Sequence, residues 1–89
     1  MTELSDTEKK NRILQEQADY RWLLSSEQGR RIASDLLSFC GLLRPSFDGT
    51  ELGTVFAEGR RSVGLALHQQ LQAHAPDLLE LMNRENNHD

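Results

Sequence analysis

A single cysteine, Cys40, leaves the chain without any internal disulfide. It sits among Phe39, Leu42 and Leu43, so a buried, reduced thiol is expected. No stretch approaches the ~20 consecutive apolar residues that cross a bilayer. The first residues carry no apolar run of the signal-peptide kind. The expectation is therefore a cytosolic protein, or one packaged into an assembly made in the cytosol, with no membrane partner. Only two prolines and five aromatics are present, and the aromatics are dispersed, which leaves no stacking platform for single-stranded nucleic acid. Metal-binding and catalytic spacings are missing too. His68 and His74 lie six apart, His88 is near the end, and no H-E-x-x-H or Cys/His pattern exists. No cofactor, no metal and no catalytic residue are expected, and the chain reads as a non-enzyme.

Charge is present but balanced. The net value is −4. It divides into −2 for residues 1–19, +1 for residues 20–64 and −3 for residues 65–89. A general nucleic-acid binder needs a cationic footprint for counterion release, and none is written here. A helix-turn-helix reader is disfavoured as well, because Asp35 and a wide apolar stripe leave few residues free to enter a groove.

With 89 residues and 37% apolar content, the chain is one domain with a thin core. Residues 1–9 are expected as a flexible arm, 10–84 as a helical domain and 85–89 as a flexible tail, because both ends are almost wholly polar. No segment alternates with period two, so the expected fold class is all-α: a small bundle of three to four helices with one ordered loop between helices 2 and 3. Helix 1 runs from about Asp6 to Leu24, capped by Asp6, with Ile13, Leu14, Ala18, Tyr20 and Leu24 on its apolar side and Trp22 and Leu23 bordering it. Ser25 and Gln28 fit a capping box for helix 2. That helix carries Ile32, Ala33, Leu36, Leu37, Phe39 and Cys40 on one wide stripe and stops at Gly41. Leu42–Gly53 forms the main loop, with Phe47 as an aromatic out of place among turn residues. Helix 3, from Thr50 or Leu52 to His74, has the strongest periodicity, through Leu52, Val55, Phe56, Gly59, Val63, Ala66, Leu67 and Leu71. Pro76 opens a short helix 4 with Leu78, Leu79, Leu81 and Met82 on its apolar side.

The phrase Gly-Arg-Arg occurs twice, at 29–31 and 59–61. Glycine within a helix costs roughly 1 kcal/mol against alanine, so Gly59, on the apolar stripe of helix 3, is expected to allow another helix or a ring to approach closely. For the arginines three readings stand. They form solvated i,i+3 or i,i+4 pairs, Glu58 with Arg61 and Glu27 with Arg30 or Arg31. Or Arg31 and Arg61 point inward and tie the loop to helix ends, with Asp48, Glu51 and Glu58 as acidic partners. Or Arg30, Arg31, Arg60 and Arg61 form one patch for an anionic partner.

Arg44–Gly49 reads R-x-S-F-x-G and Phe56–Gly64 reads F-x-E-G-x-R-x-V-G. On these motifs, Trp22–Met82 resembles a family of short proteins encoded by tailed bacteriophages, often near virion structural genes. This chain departs from the family pattern by carrying Arg60 at the middle position of E-G-x-R. The resemblance implies a phage particle or assembly setting and no chemistry. The expected role is a virion structural or assembly accessory acting by protein–protein contacts. Its partner would be a larger phage structural protein or itself, in the host cytoplasm or the virion. The alternative is a soluble phage regulator that binds a host protein, of the anti-defence type, or, ranked below that, nucleic acid. Partner-binding candidates are Trp22, Arg30, Arg31, Phe47, Arg60, Arg61 and Leu65.

Overall fold

The structure is a computed structural model of the chain and describes residues 5–41 and 50–86. Four helices make up almost all of it: α1 (Asp6–Leu23), α2 (Glu27–Phe39), α3 (Glu51–His74) and α4 (Pro76–Asn86). No strand occurs among the described residues, as the missing period-two alternation requires. The expected loop between helices 2 and 3, with Phe47, Arg44 and Asp48, lies outside the described residues over 42–49.

The starts of α1, α2 and α3 are each fixed by a hydroxyl side chain that accepts from an otherwise unpaired amide. Ser5 Oγ accepts from Glu8 N at 3.1 Å, Ser26 Oγ from Gly29 N at 3.0 Å, and Thr50 Oγ1 from Gly53 N at 3.0 Å. Two caps thus fall one residue from their expected places: Ser5 replaces Asp6, and Ser26 replaces Ser25. Ser25 instead turns back, its hydroxyl donating to Trp22 O at 2.7 Å. Gly41 takes a left-handed φ of 68° just after α2, the conformation that ends helices and that side chains resist. Pro76 is the first residue of α4, where its missing N–H goes unneeded.

The core is small. Leu24, Ala33, Leu37, Leu71, Ala75, Leu79 and Met82 are buried, with Tyr20, Leu23, Leu67 and Leu78 packed against them. These residues gather the end of α1, the middle of α2, the second half of α3 and all of α4. Two bidentate ion pairs clamp α4. Arg21 Nη1 and Nη2 donate to Asp77 Oδ1 and Oδ2 at 2.8 and 2.9 Å. Arg30 Nε and Nη2 donate to Glu85 Oε1 and Oε2 at 2.6 and 3.0 Å. Tyr20 stacks on His74 with ring centroids 5.6 Å apart and planes 3° from parallel, joining α1 to the end of α3.

The helices are where expected, but two of their faces are not. On α1, Ile13 and Leu14 are 57% and 53% exposed and Trp22 is 77% exposed. Only Tyr20, Leu23 and Leu24 of its expected apolar side pack. On α3 the first part of the expected stripe is turned outward: Leu52, Val55, Phe56 and Val63 are each more than 60% exposed, while Leu67 and Leu71 of the same stripe pack in the core as expected. The face that packs inward is lined by Ala57, Arg60, Gly64, Leu67 and Leu71, roughly a third of a turn away at 100° per residue.

That rotation corrects the reading of the glycines. Gly59 is exposed, and a Cβ placed on it would meet nothing within 4 Å. Gly64 is the buried one, where a Cβ would lie 2.7 Å from Cys40 Cβ. The C-terminal end of α2 therefore rests directly on the α3 backbone at Gly64. Cys40 itself is half-buried rather than enclosed. Gly29 answers the first Gly-Arg-Arg. A Cβ there would lie 1.9 Å from the carbonyl oxygen of Leu23, so only glycine lets the last turn of α1 fold back onto the first turn of α2.

Candidate protein interface

The outward stripe of α3 does not stand alone. On α2, Ile32, Leu36 and Phe39 are 59%, 51% and 67% exposed. Their spacing of four and three puts them on one side of that helix. The two stripes meet at Arg60. Its guanidinium carbon lies 5.5 Å from the Phe39 ring centroid and 5.2 Å from that of Phe56, so one cation bridges two phenyl faces, a contact favoured by the ring quadrupoles. Arg60 Nε is buried and has no hydrogen-bond partner among the described residues. The arginine is held there by its rings and its apolar stem, and it serves as the hinge between two exposed apolar strips.

Arg30, not Arg31 or Arg61, is the arginine that points inward. Besides holding Glu85, its Nη1 donates to the carbonyl of Leu24 at 3.0 Å, at the end of α1. Its side chain is only 11% exposed. The signal was in the sequence: Arg30 lies three residues before Ala33 and seven before Leu37, on the buried side of α2, whereas Arg31 is turned 100° away. Arg31 makes the solvated i,i+4 pair with Glu27, 3.6 Å apart. Arg61 is half-buried with no hydrogen-bond or ionic partner among the described residues. The expected acidic partners Glu51 and Glu58 therefore do not hold Arg31 or Arg61, and the inward reading passes to Arg30 and Glu85. Nor do the four arginines form a single anion-binding patch, since Arg30 is committed to α4 and Arg60 to two rings.

Of the other candidates, Trp22 stands exposed on α1, Leu65 is half-buried on α3, and Phe47 lies outside the described residues. Sequence reasoning missed Ile32, Leu36, Phe39, Val55, Phe56 and Val63 as surface residues because periodicity assigned them to the core. No group of three His, Cys, Asp or Glu side chains converges among the described residues. No helix there is long and apolar enough to cross a membrane.

A sequence model of the family described as Bbp19-like phage protein matches residues 20–84, close to three-quarters of the chain. The chain belongs to the Bbp19-like phage protein family. The phage resemblance expected from the two motifs is thereby supported at the level of the family. Neither a curated protein nor a solved structure matches the chain. The Bbp19-like segment coincides with the packed unit: every core residue, from Leu24 to Met82, lies inside it. The first 14 of the 18 residues of α1, residues 6–19, lie before it and bury nothing. In this Bbp19-like chain the second motif, Phe56–Gly64, spans the hinge itself. It places Phe56 and Val63 on the outer strip, Arg60 at its inner edge between the Phe39 and Phe56 rings, and Gly64 at the inner contact.

Proposed function

We propose that the protein is a non-catalytic phage accessory, part of the virion or of its assembly, which works by binding a larger phage structural protein. The observation that carries this reading is the balance of apolar side chains. Among the described residues ten large ones are more than half exposed, against seven residues in the buried core. Contiguous apolar surface on that scale marks contact sites on soluble proteins. Membership of a phage family supplies the setting. The work falls to the strips on α2 and α3 joined at Arg60, with Trp22 as a separate exposed anchor of the kind enriched at binding hot spots. The acidic balance of the chain argues against a role on nucleic acid.

The test is to purify particles, digest them and quantify the protein by mass spectrometry, with an affinity-tagged copy used in parallel to recover partners from infected cells. Recovery in particles, or in complex with a phage structural or assembly protein, supports the accessory. Absence from both, with a host protein recovered instead, replaces it with the soluble regulator.

A further inference from the structure

The outward face of α3 is unusual in what it omits. From Leu52 to Ala73 the residues on that side are Leu52, Val55, Phe56, Gly59, Ser62, Val63, Ala66, Gln70 and Ala73. None is charged over about 30 Å of helix, at 1.5 Å per residue. Ala66, Gln69, Gln70 and Ala73 are exposed, as are the larger side chains before them. A helix with one charge-free side on a monomeric surface is a helix lacking a partner.

We infer that this face pairs with the same face of a second copy, α3 against α3, antiparallel about a two-fold axis near Ser62 and Val63. Three features select a second copy over an unrelated protein. The first is area. Leu52, Val55, Phe56 and Val63 are each more than 60% exposed, and Ser62, Ala66, Gln69, Gln70 and Ala73 are exposed along the same side. Together they form a continuous face about 30 Å long, of the order of the ~800 Å² per partner that a standard stable interface covers. The second is self-complementarity in shape. The bulky residues of the face lie in the first half of α3 and the small ones in the second. An antiparallel two-fold sets Leu52 opposite Ala73 and Val55 opposite Gln70. It also sets Gly59 opposite Ala66, so the two helices come closest near the axis, as small residues permit. A parallel pairing would set Phe56 against Phe56 and leave the alanines facing a gap. The third is charge: with no charge on the face, pairing it with its own copy incurs no like-charge repulsion.

The inference rests on reading the apolar strips as contact surface, and it names the occupant of the α3 part. Sedimentation velocity from low micromolar to several hundred micromolar should show a concentration-dependent dimer. Ala66→Arg, which alters an exposed position of the monomer, should keep the helical circular-dichroism spectrum and weaken association roughly tenfold or more. In a Cys40→Ala background, Ser62→Cys should form a disulfide-linked dimer on mild oxidation. Leu52→Cys should not, because the antiparallel arrangement holds it about 30 Å from its own copy. A strict monomer across the range overturns the inference, as does cross-linking through Leu52→Cys in preference to Ser62→Cys. Should Ala66→Arg misfold, the cysteine pair still decides. A monomer that is nevertheless recovered in particles defeats the dimer and leaves the accessory reading standing. A dimer absent from particles does the reverse.

Discussion

At the scale of single residues, two glycines on one helix have opposite fates. Gly59 faces open space and Gly64 meets Cys40. Gly59→Ala removes the backbone freedom of an exposed helical glycine and should stabilise the monomer by about 0.5–1 kcal/mol. It is best read by thermal or urea unfolding at low micromolar concentration, since at higher concentration the added methyl falls on the inferred dimer axis. Gly64→Ala gains the same helical propensity, but its Cβ would sit 2.7 Å from Cys40 Cβ. That carbon is fixed to the α2 backbone and cannot swing aside. Overpacking of this kind costs roughly 1–3 kcal/mol, so the net effect should be destabilisation of about 1 kcal/mol. Cys40→Gly in the same chain removes the clash, and Gly64→Ala should then be neutral or stabilising. A cycle of the four proteins measures that coupling directly. Additive effects would mean that α2 does not rest on Gly64.

At the scale of elements, α4 is held to α1 by Arg21 and Asp77 and to α2 by Arg30 and Glu85. Both carboxylates are pulled below their ordinary range, first by the hydrogen bonds from their arginines. Asp77 falls from 3.8 to about 2 through Arg21, and Glu85 is lowered through Arg30. A carboxylate whose folded pKa is depressed binds protons more readily when unfolded, so its contribution is complete above the unfolded value and is lost as pH falls through the folded one. For Asp77 that window runs from 3.8 down to about 2. Asp77→Asn should therefore be less stable than the parent at neutral pH, and the gap should close between about pH 4 and pH 2. Unfolding midpoints of the two proteins across that range check it, and a gap that stays constant would mean that the pair is not formed. These elements also mark the limit of what the sequence discloses. Helix positions were legible, two starts to within one residue, because Ser25, Ser26, Thr50, Gly41 and Pro76 are local signals that act within one turn. Leu67 and Leu71 were legible as core, but the inward face of the first half of α3 was not, because hydropathy marks an apolar side without saying which neighbour covers it. Ala57 and Gly64 draw their helix inward by being small, and smallness leaves no trace in hydrophobic periodicity. Arg30 and Arg31 were separable in principle by their register with Ala33 and Leu37, yet Glu85, more than fifty residues on, could only be found in three dimensions.

At the scale of the whole molecule, the dimensions set the stability problem. The Cα radius of gyration is 15.9 Å, whereas a compact domain of this length has one of about 12 Å. The short dimension is 15 Å, at most two layers of helices at 8–10 Å separation. A body so thin encloses few side chains, which is why only a small core forms among the described residues and the apolar sides of α2 and α3 remain outside. A partner that binds only the folded chain adds its binding free energy to folding, and self-association then makes the melting temperature rise with protein concentration. The parent chain should show that rise between low micromolar and several hundred micromolar. Ala66→Arg should melt at a temperature independent of concentration, matching the parent only at the dilute end. If the parent also melted at one fixed temperature, the monomer alone would have to supply the whole stability from a small core and the ion pairs that clamp α4. In that case Leu71→Ala, which empties the centre of the core at a typical loss of about 2–5 kcal/mol, should leave the chain unfolded at room temperature. If the dimer exists, raising the concentration of that variant should recover helical signal, because the α3 face that pairs is not the one that holds Leu71.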